Sequence, residues 1–445
     1  MTSTTPAPRF TRQWRSLMPR LASTLLITFL VLLCCLPQPV WHTMLRPLRW
    51  ISWVVLALVW LARRPIALFS KDDAPALWFG LALLPSVLLV ESPRLGWSEL
   101  AGETIGIYPH LILMGVAWYV IAAHTIDHRR LQWLGRWFVV GALCAAAIGY
   151  VEILTHHNII YERWVPNPDF YHRSILQHRM MSTQMHPVIM GTLLVLSVPL
   201  ALHHTVVAIR TKARWLWGIA AASVIGATLL TFTRGSALSL IVAITSYAVV
   251  TKRRRWLWGL ALGIVALVVV SSVMTARSHT RTTRGPARYS LSEFQRIIQG
   301  RTASWRWDNA CLALNLMRQS PVWGIGLNHF RHQFNRHRPA MTLPYEWKIP
   351  DDLYLRLLVE TGLLGCLSFL WLLWKTARRW YHTISAMREA TSRSLLAAVG
   401  AGWLGLLTHM LTYDALWWLM PLACFWIWTG ILHSHRWPRA SHVTA

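Results

Sequence analysis

Two arginines lie at the edges of long apolar runs in this sequence. Arg234 lies in TFTRGSALSL between two such runs, and Arg179 lies in QHRMMSTQMHPVIMG just before another. A guanidinium at the end of an apolar helix is costly unless it reaches lipid headgroups or meets an anion. Guanidinium groups hold phosphate oxygens in bidentate pairs without a metal. Together with Arg301, these arginines would suit a lipid-linked pyrophosphate, and contact with ordinary headgroups is the alternative.

Adjacent carboxylates form the second candidate for chemistry. Asp351 and Asp352 directly follow Pro350 and precede an apolar run. Acidic side chains at a helix N-terminus stabilise it by about 0.5–2 kcal/mol, so capping is one interpretation. General base catalysis is the other, because two neighbouring carboxylates can raise one pKa towards neutrality. Both interpretations stay open, and Asp414 is a further acid that could reach the same place.

Aromatic and imidazole side chains occur in the same part of the chain. Trp305 could stack its indole face on a sugar, although packing at a membrane interface is the alternative. A histidine of the same region could also act as a base, and the candidates are His329, His332 and His337. The histidines and cysteines show no metal-ligand or disulfide spacing, so we expect no metal and no cofactor.

The composition indicates a membrane protein. Of the 445 residues, 54% are hydrophobic and 14% are charged, whereas soluble proteins carry about 25% charged residues. The net charge of +27 alone could indicate a nucleic-acid partner. However, the basic residues form short clusters between long apolar runs, so we expect a lipid bilayer as the partner and no nucleic acid.

The predicted fold is an all-α integral membrane protein with about 12 transmembrane helices, since about 20 apolar residues cross a bilayer. Nine helices are expected within residues 21–275 and three within 355–433, between tails at 1–20 and 434–445 and around a large loop at 276–354. The predicted spans are 21–41, 48–62, 75–91, 104–124, 131–154, 186–209, 215–233, 235–250, 256–275, 355–376, 394–413 and 415–433.

The distribution of Lys and Arg between the short loops predicts that both termini are cytoplasmic and that the large loop is outside. That loop holds twelve Lys or Arg against five acids, which favours an anionic ligand at the outer face. Within it, 301–319 places apolar residues at helical spacing and predicts an amphipathic helix near the membrane surface. The Pro/Gly cluster in SPVWGIGLNHF should end this helix.

Residues 175–370 resemble the O-antigen ligase/polymerase family of bacterial envelope glycosyltransferases. TRGSALSL matches the family's Arg-x-x-x-Leu element through Arg234 and Leu238. RTASW…SPVWGIGLNHF matches its Arg…Trp…Pro-x-x-Gly-x-Gly-x-x-x-Phe stretch. DDLYLRLLVETGLLG matches the last element, which ends in Gly362 and Gly365.

The resemblance implies about a dozen helices with one large periplasmic loop, in the bacterial inner (cytoplasmic) membrane. It implies an undecaprenyl-pyrophosphate-linked glycan as donor, with neither nucleotide sugar nor metal. The acceptor would be another glycan or lipid A–core. Arg179 and Arg234 would bind the donor pyrophosphate, with Arg301 and Trp305 as further binding residues.

One departure concerns the proposed base. Ligases of this family place a histidine eleven residues before the first glycine of the last element, and counting back from Gly362 gives Asp351. Asp351 and Asp352 are therefore the catalytic candidates, and the change favours a polymerase over a ligase. A polytopic transporter is the remoter alternative, although the two halves of the chain look unlike and mid-span charges are nearly absent.

Overall fold

The structure is a computed structural model that describes residues 9–37, 51–57, 73–88, 114–158, 160, 162, 179–253, 301–337, 350–434 and 437, without the side chains of 9–16 and 301–305. All regular secondary structure in these residues is helical, as predicted. The helices are α1 (Arg9–Cys35), α2 (Ala74–Leu88), α3 (Gly115–Thr125), α4 (His128–Thr155), α5 (Pro187–Val207), α6 (Thr211–Leu230), α7 (Arg234–Val250), α8 (Arg301–Gln319), α9 (Phe330–His337), α10 (Leu353–Ala386), α11 (Ala390–His409) and α12 (Leu419–Leu432).

Five described helices are long and apolar enough to cross a membrane, namely α4, α5, α6, α10 and the part of α1 from Leu17 to Cys35. Three shorter apolar helices, α2, α7 and α12, accompany them. The all-helical membrane class is therefore confirmed, whereas the count of twelve spans stays a prediction. The predicted span 256–275 lies outside the described residues, as does most of the predicted span 48–62. Residues 254–300 and 338–349, which include large parts of the predicted loop, also lie outside them.

The helix ends meet in two groups, one at each end of the bundle. At the first, Leu353 N–H donates to Met410 O at 2.9 Å, and Met180 N–H donates to Leu230 O at 3.0 Å. At the second, His128 contacts Ser392, and hydrogen bonds join α5 and α7 to the start of α11. The alternation of loops predicted from the basic residues stays a prediction. Which side of the membrane each group faces stays a prediction.

The centre of the bundle is α5. This helix packs against α4, α6, α7 and α11, and most of its residues are buried. A helix that is apolar all round its circumference belongs inside a protein rather than on its surface. The N-terminus of α5 therefore lies among the ends of several other helices, and the candidate site is built there.

The segment that follows α8 is bonded into an interruption of α10. Ile325 N–H donates to Val359 O at 3.0 Å, and Leu363 N–H donates to Pro321 O at 2.8 Å. In the same way, Gly326 N–H donates to Glu360 O, and Leu364 N–H donates to Val322 O. We call residues 321–327 and 359–364 together the glycine clasp. These main-chain bonds join the segment after α8 to α10.

Two glycines make this clasp feasible. Gly362 has φ 67° and ψ −168° inside α10, and Gly324 has φ 76°. A Cβ at Gly362 would collide with the Val322 main chain, and one at Gly324 would collide with the Glu360 carbonyl. Glycine alone adopts such angles at no steric cost. The two glycine-containing elements noted in the sequence are thus one structural unit.

The helix predicted over 301–319 is confirmed with the same bounds. Its inner face, with Leu312, Ala313 and Leu316, packs on Phe330 of α9 and Val359 of α10. The apolar spacing that suggested a membrane-surface helix therefore serves, at these positions, to pack α8 on other helices of the protein.

Candidate functional site

Arg179 and Arg234 are held at one turn. The Arg179 Nε–H donates to Thr231 O at 3.3 Å, three residues before Arg234. Arg234 is exposed and is the first residue of α7. Between them, Phe232 has φ 47°, an angle that non-glycine residues rarely adopt. The structure thus brings the two predicted donor-binding arginines to one tight turn, which we call the arginine turn (230–235).

His186 joins this turn to the loop between α11 and α12. Its Nδ1 accepts the Val188 N–H at 3.3 Å and so caps α5, while its ring stacks on Tyr413 with centroids 5.4 Å apart. Burial lowers the pKa of His186 to about 3, and the nearby positive charge of Arg179 acts in the same direction. The imidazole is therefore neutral near pH 7 and leaves the anion-binding charge to the arginines.

Asp351 is held by an arginine of α8. Its Oδ2 lies 2.9 Å from Arg306 Nη2, and the carboxylate is 15% exposed. Burial raises the pKa of Asp351 to about 6, although the positive charge of Arg306 lowers it. A carboxylate with a pKa just below the working pH is ionised and still basic enough to take a proton. The environment of Asp351 thus suits a general base.

Asp352 has a different environment from its neighbour. Its Oδ1 accepts the Tyr354 N–H at 2.8 Å and the Leu355 N–H at 3.1 Å, which makes it the N-cap of α10. Burial raises the pKa of Asp352, while these two main-chain bonds lower it. Of the two interpretations of the carboxylate pair, the contacts of Asp352 agree with capping.

Arg356 forms a buried hub that the sequence analysis missed. Its Nη1 donates to the Asp414 carboxylate, its Nη2 donates to Asn328 Oδ1 at 2.9 Å, and its Nε lies 3.3 Å from Glu360 Oε1. The guanidinium also lies over the Trp417 ring, 3.7 Å from the centroid. The one available signal was the spacing of Arg356 and Glu360, four residues apart on one face of an apolar helix.

Asp414 connects the two sides of the site. Burial raises its pKa, the negative charge of Asp351 adds to this rise, and Arg356 opposes it. Asp414 also meets the start of α10 directly, because Arg356 of that helix donates to its carboxylate. The preceding residue, Tyr413, stacks on His186 beside Arg179. The loop 410–418 thus lies between the arginine turn and the carboxylates of α10.

The other predicted residues are placed only in part. Arg301 begins α8, but the side chains of Arg301 and Trp305 lie outside the described residues. The helix that carries them reaches the site, because Arg306 binds Asp351. Their roles stay predictions.

The loop histidines hydrogen-bond near their own positions. His329 is buried with Nδ1 2.9 Å from Leu327 O, and His337 Nδ1 lies 2.9 Å from Gln333 O. Within the part of the chain that the structure describes, no group of three or more His, Cys, Asp or Glu could hold a metal ion.

Residues 219–370 match the family model described as O-Antigen ligase. This part of the chain is therefore similar to an O-antigen ligase domain. The predicted resemblance to the O-antigen ligase/polymerase family is thereby confirmed for residues 219–370, and the match supports a glycan-modifying function of that type. A comparison with the curated proteins gave no match. The matched O-antigen ligase region includes the arginine turn and the clasp, whereas Arg179 and Asp414 contribute from outside it.

Proposed function

We propose that this protein is a membrane glycosyltransferase that moves a saccharide from an undecaprenyl-pyrophosphate donor to a hydroxyl of an acceptor glycan. It acts at the periplasmic face of the bacterial inner membrane, with about 12 spans, both termini in the cytoplasm and the loop 276–354 in the periplasm. The observation that supports this proposal is that Arg179 bonds to the turn that carries Arg234, and that the loop 410–418 joins His186 beside this turn to the start of α10, next to Asp351.

The arginine turn is the donor side of the site. As the bond between the sugar C1 and the pyrophosphate oxygen breaks, negative charge develops on the leaving pyrophosphate. Arg179 and Arg234 stabilise that charge, and the N-terminal dipole of α7 acts in the same direction. By comparison with oxyanion-site donors, each contact contributes about 2–4 kcal/mol to lowering the barrier. Arg301 is proposed as a third contact to the donor and Trp305 as a stacking surface for its sugar.

Asp351 forms the side of the site where the acceptor glycan binds. The acceptor hydroxyl attacks C1 of the donor sugar and gives its proton to the Asp351 carboxylate as the new glycosidic bond forms. The bond from C1 to the acceptor oxygen replaces the bond from C1 to the pyrophosphate oxygen, and undecaprenyl pyrophosphate leaves. No further reagent is needed. Arg306 holds the carboxylate in its ionised form, and Asp352 fixes the start of the helix that presents it. Neither a nucleotide sugar nor a metal is needed in this scheme, as the resemblance implies.

Complementation of a deletion strain tests the assignment. Arg234→Ala and Asp351→Asn should each abolish or strongly reduce polymer on the cell surface while the protein inserts at the wild-type level. Arg214→Ala is the matched control, since Arg214 is exposed at the opposite end of α6. An Arg234→Ala protein that inserts normally and yields full polymer would refute the donor-binding role.

The choice between polymerase and ligase depends on the acceptor. Asp351 stands where ligases have histidine, which favours a growing glycan as acceptor over lipid A–core. In a deletion strain, single-repeat products in the lipopolysaccharide ladder would indicate a polymerase. Loss of all capped lipopolysaccharide, with polymer accumulating on the carrier, would indicate a ligase instead.

A further inference from the structure

A buried histidine lies directly beneath the arginine turn. His409 is fully buried at the end of α11, with Nε2 3.2 Å from Ser236 Oγ of α7 and Nδ1 3.2 Å from Thr192 Oγ1 of α5. One imidazole ring therefore joins three helices at the depth where α7 begins. No step of the proposed reaction uses this residue.

Hydroxyl groups continue from the ring to the arginine turn. Thr233 Oγ1 donates to Ser236 Oγ, and Thr231 Oγ1 lies 3.0 Å from Thr233 Oγ1. These two threonines flank Phe232, the residue with the left-handed φ angle. The carbonyl of Thr231 is also the group that accepts the Arg179 Nε–H. The Thr231 hydroxyl itself donates to Thr228 O at 2.7 Å. The hydrogen bonds from His409 therefore end at Thr233, and the main chain from Thr233 through Phe232 connects them to the carbonyl that holds Arg179.

The neighbouring glycines leave room for this chain. A Cβ at Gly191 of α5 would collide with Ser236 Oγ, and a Cβ at Gly235 would collide with the Thr412 side chain. The same Cβ at Gly235 would lie 3.5 Å from the His409 ring. Because α5, α7 and the end of α11 approach closely here, the hydroxyl groups and the ring have little freedom to move.

The direction of each hydrogen bond to the His409 ring follows from which atoms carry a hydrogen. The Thr192 hydroxyl donates to Val188 O at 3.0 Å, so its oxygen accepts from the ring and Nδ1 carries the proton. A neutral imidazole has one donor and one acceptor, so Nε2 accepts the Ser236 hydroxyl. Ser236 in turn accepts from Thr233. The ring therefore sets the orientation of both hydroxyl groups on the α7 side.

We propose that His409 is a positioning residue for the donor site: through Ser236 and Thr233 it fixes the turn that presents Arg179 and Arg234 to the pyrophosphate. This inference rests on the proposed function, which assigns the two arginines to the donor. A purely packing role for His409 would affect the stability of the bundle but would not depend on which ring nitrogen keeps its partner.

Two amide variants separate these roles. His409→Gln places an amide near the position of Nε2 and can keep the Ser236 contact, whereas His409→Asn places one near Nδ1 and keeps only the Thr192 contact. The measurement is the affinity of the purified full-length protein for undecaprenyl pyrophosphate. Loss of a buried hydrogen bond corresponds to about tenfold in affinity, so His409→Asn and Ser236→Ala should bind about tenfold more weakly. His409→Gln should stay within about threefold of wild type.

Thr192→Val is the matched control on the other side of the ring. It removes the Nδ1 contact and should lower the melting temperature, yet leave the affinity for the probe unchanged. Equal affinities for His409→Gln and His409→Asn would overturn the inference, as would a Thr192→Val affinity as weak as that of Ser236→Ala. If the wild-type protein does not bind the probe, the donor assignment fails as well. If wild type binds, Arg234→Ala does not and the His409 variants bind normally, only the positioning role is wrong.

Discussion

Arg306 lies against Asp351, with its Nη2 atom 2.9 Å from the carboxylate Oδ2, and so joins α8 to the start of α10. Because Arg306 is 46% exposed, the pair contributes little to stability. Its effect is on the proton affinity of Asp351. Burial raises the pKa of this carboxyl to about 6, and the guanidinium limits the rise.

Removing the Arg306 charge should shift the pH dependence of the reaction. Arg306→Gln takes away the group that lowers the Asp351 pKa, so this pKa should rise further above 6. The base form is the ionised one, so the acidic limb of the pH–rate profile should move to higher pH. Arg318→Gln, an exposed position on the same helix, is the control. A shift to lower pH, or none, would contradict the base assignment.

Asp352 should tolerate a change that Asp351 does not. Asn keeps a side-chain oxygen that can cap α10, so Asp352→Asn should retain most of its activity and stability. Asp352→Ala removes the acceptor for two main-chain N–H groups and should lower stability by about 1 kcal/mol. Thermal unfolding in detergent and polymer yield measure the two effects. Equal loss of activity in Asp352→Asn and Asp351→Asn would argue against Asp351 as the sole base.

The Arg356 hub should be essential for folding. Arg356→Met leaves Glu360 and Asp414 buried without their counter-charge, a change that costs about 3–5 kcal/mol. The expected result is loss of folded, detergent-stable protein, measured by size-exclusion chromatography. The control, Arg378→Met, removes an exposed arginine from the same helix and should leave the yield unchanged. A normal yield for Arg356→Met would show that the hub is dispensable for folding.

The glycine clasp should not accept side chains. Gly362→Ala and Gly324→Ala force a Cβ into main-chain atoms at positive φ, so each should lower stability by more than about 1 kcal/mol. Faster proteolysis of the segment around 321–327 should accompany this loss. Gly218→Ala lies in a helix with its closest neighbour 3.9 Å away, so it should be neutral or stabilising. Similar behaviour of all three variants would contradict this account of the clasp.

Structural features that depend on neighbouring residues in the chain could be predicted from the sequence. The apolar spacing of 301–319 gave the bounds of α8, and the position of Asp352 before an apolar run allowed its capping role. Arg356 and His409 were not found, because their partners are distant in sequence. Arg356 meets Asp414, 58 residues away, and His409 meets Ser236, 173 residues away. Such contacts depend on how the helices pack, which no spacing within one segment reveals.

The main-chain pairing of 321–327 with α10 leaves the outward side chains of the clasp unconstrained. Val322 and Trp323 are 45% and 43% exposed, although their backbone is bonded into a membrane helix. Substitutions at these two positions can therefore change this exposed surface without loosening the scaffold that carries Asp351. Libraries that vary only this pair would leave the bonded backbone beneath them unchanged.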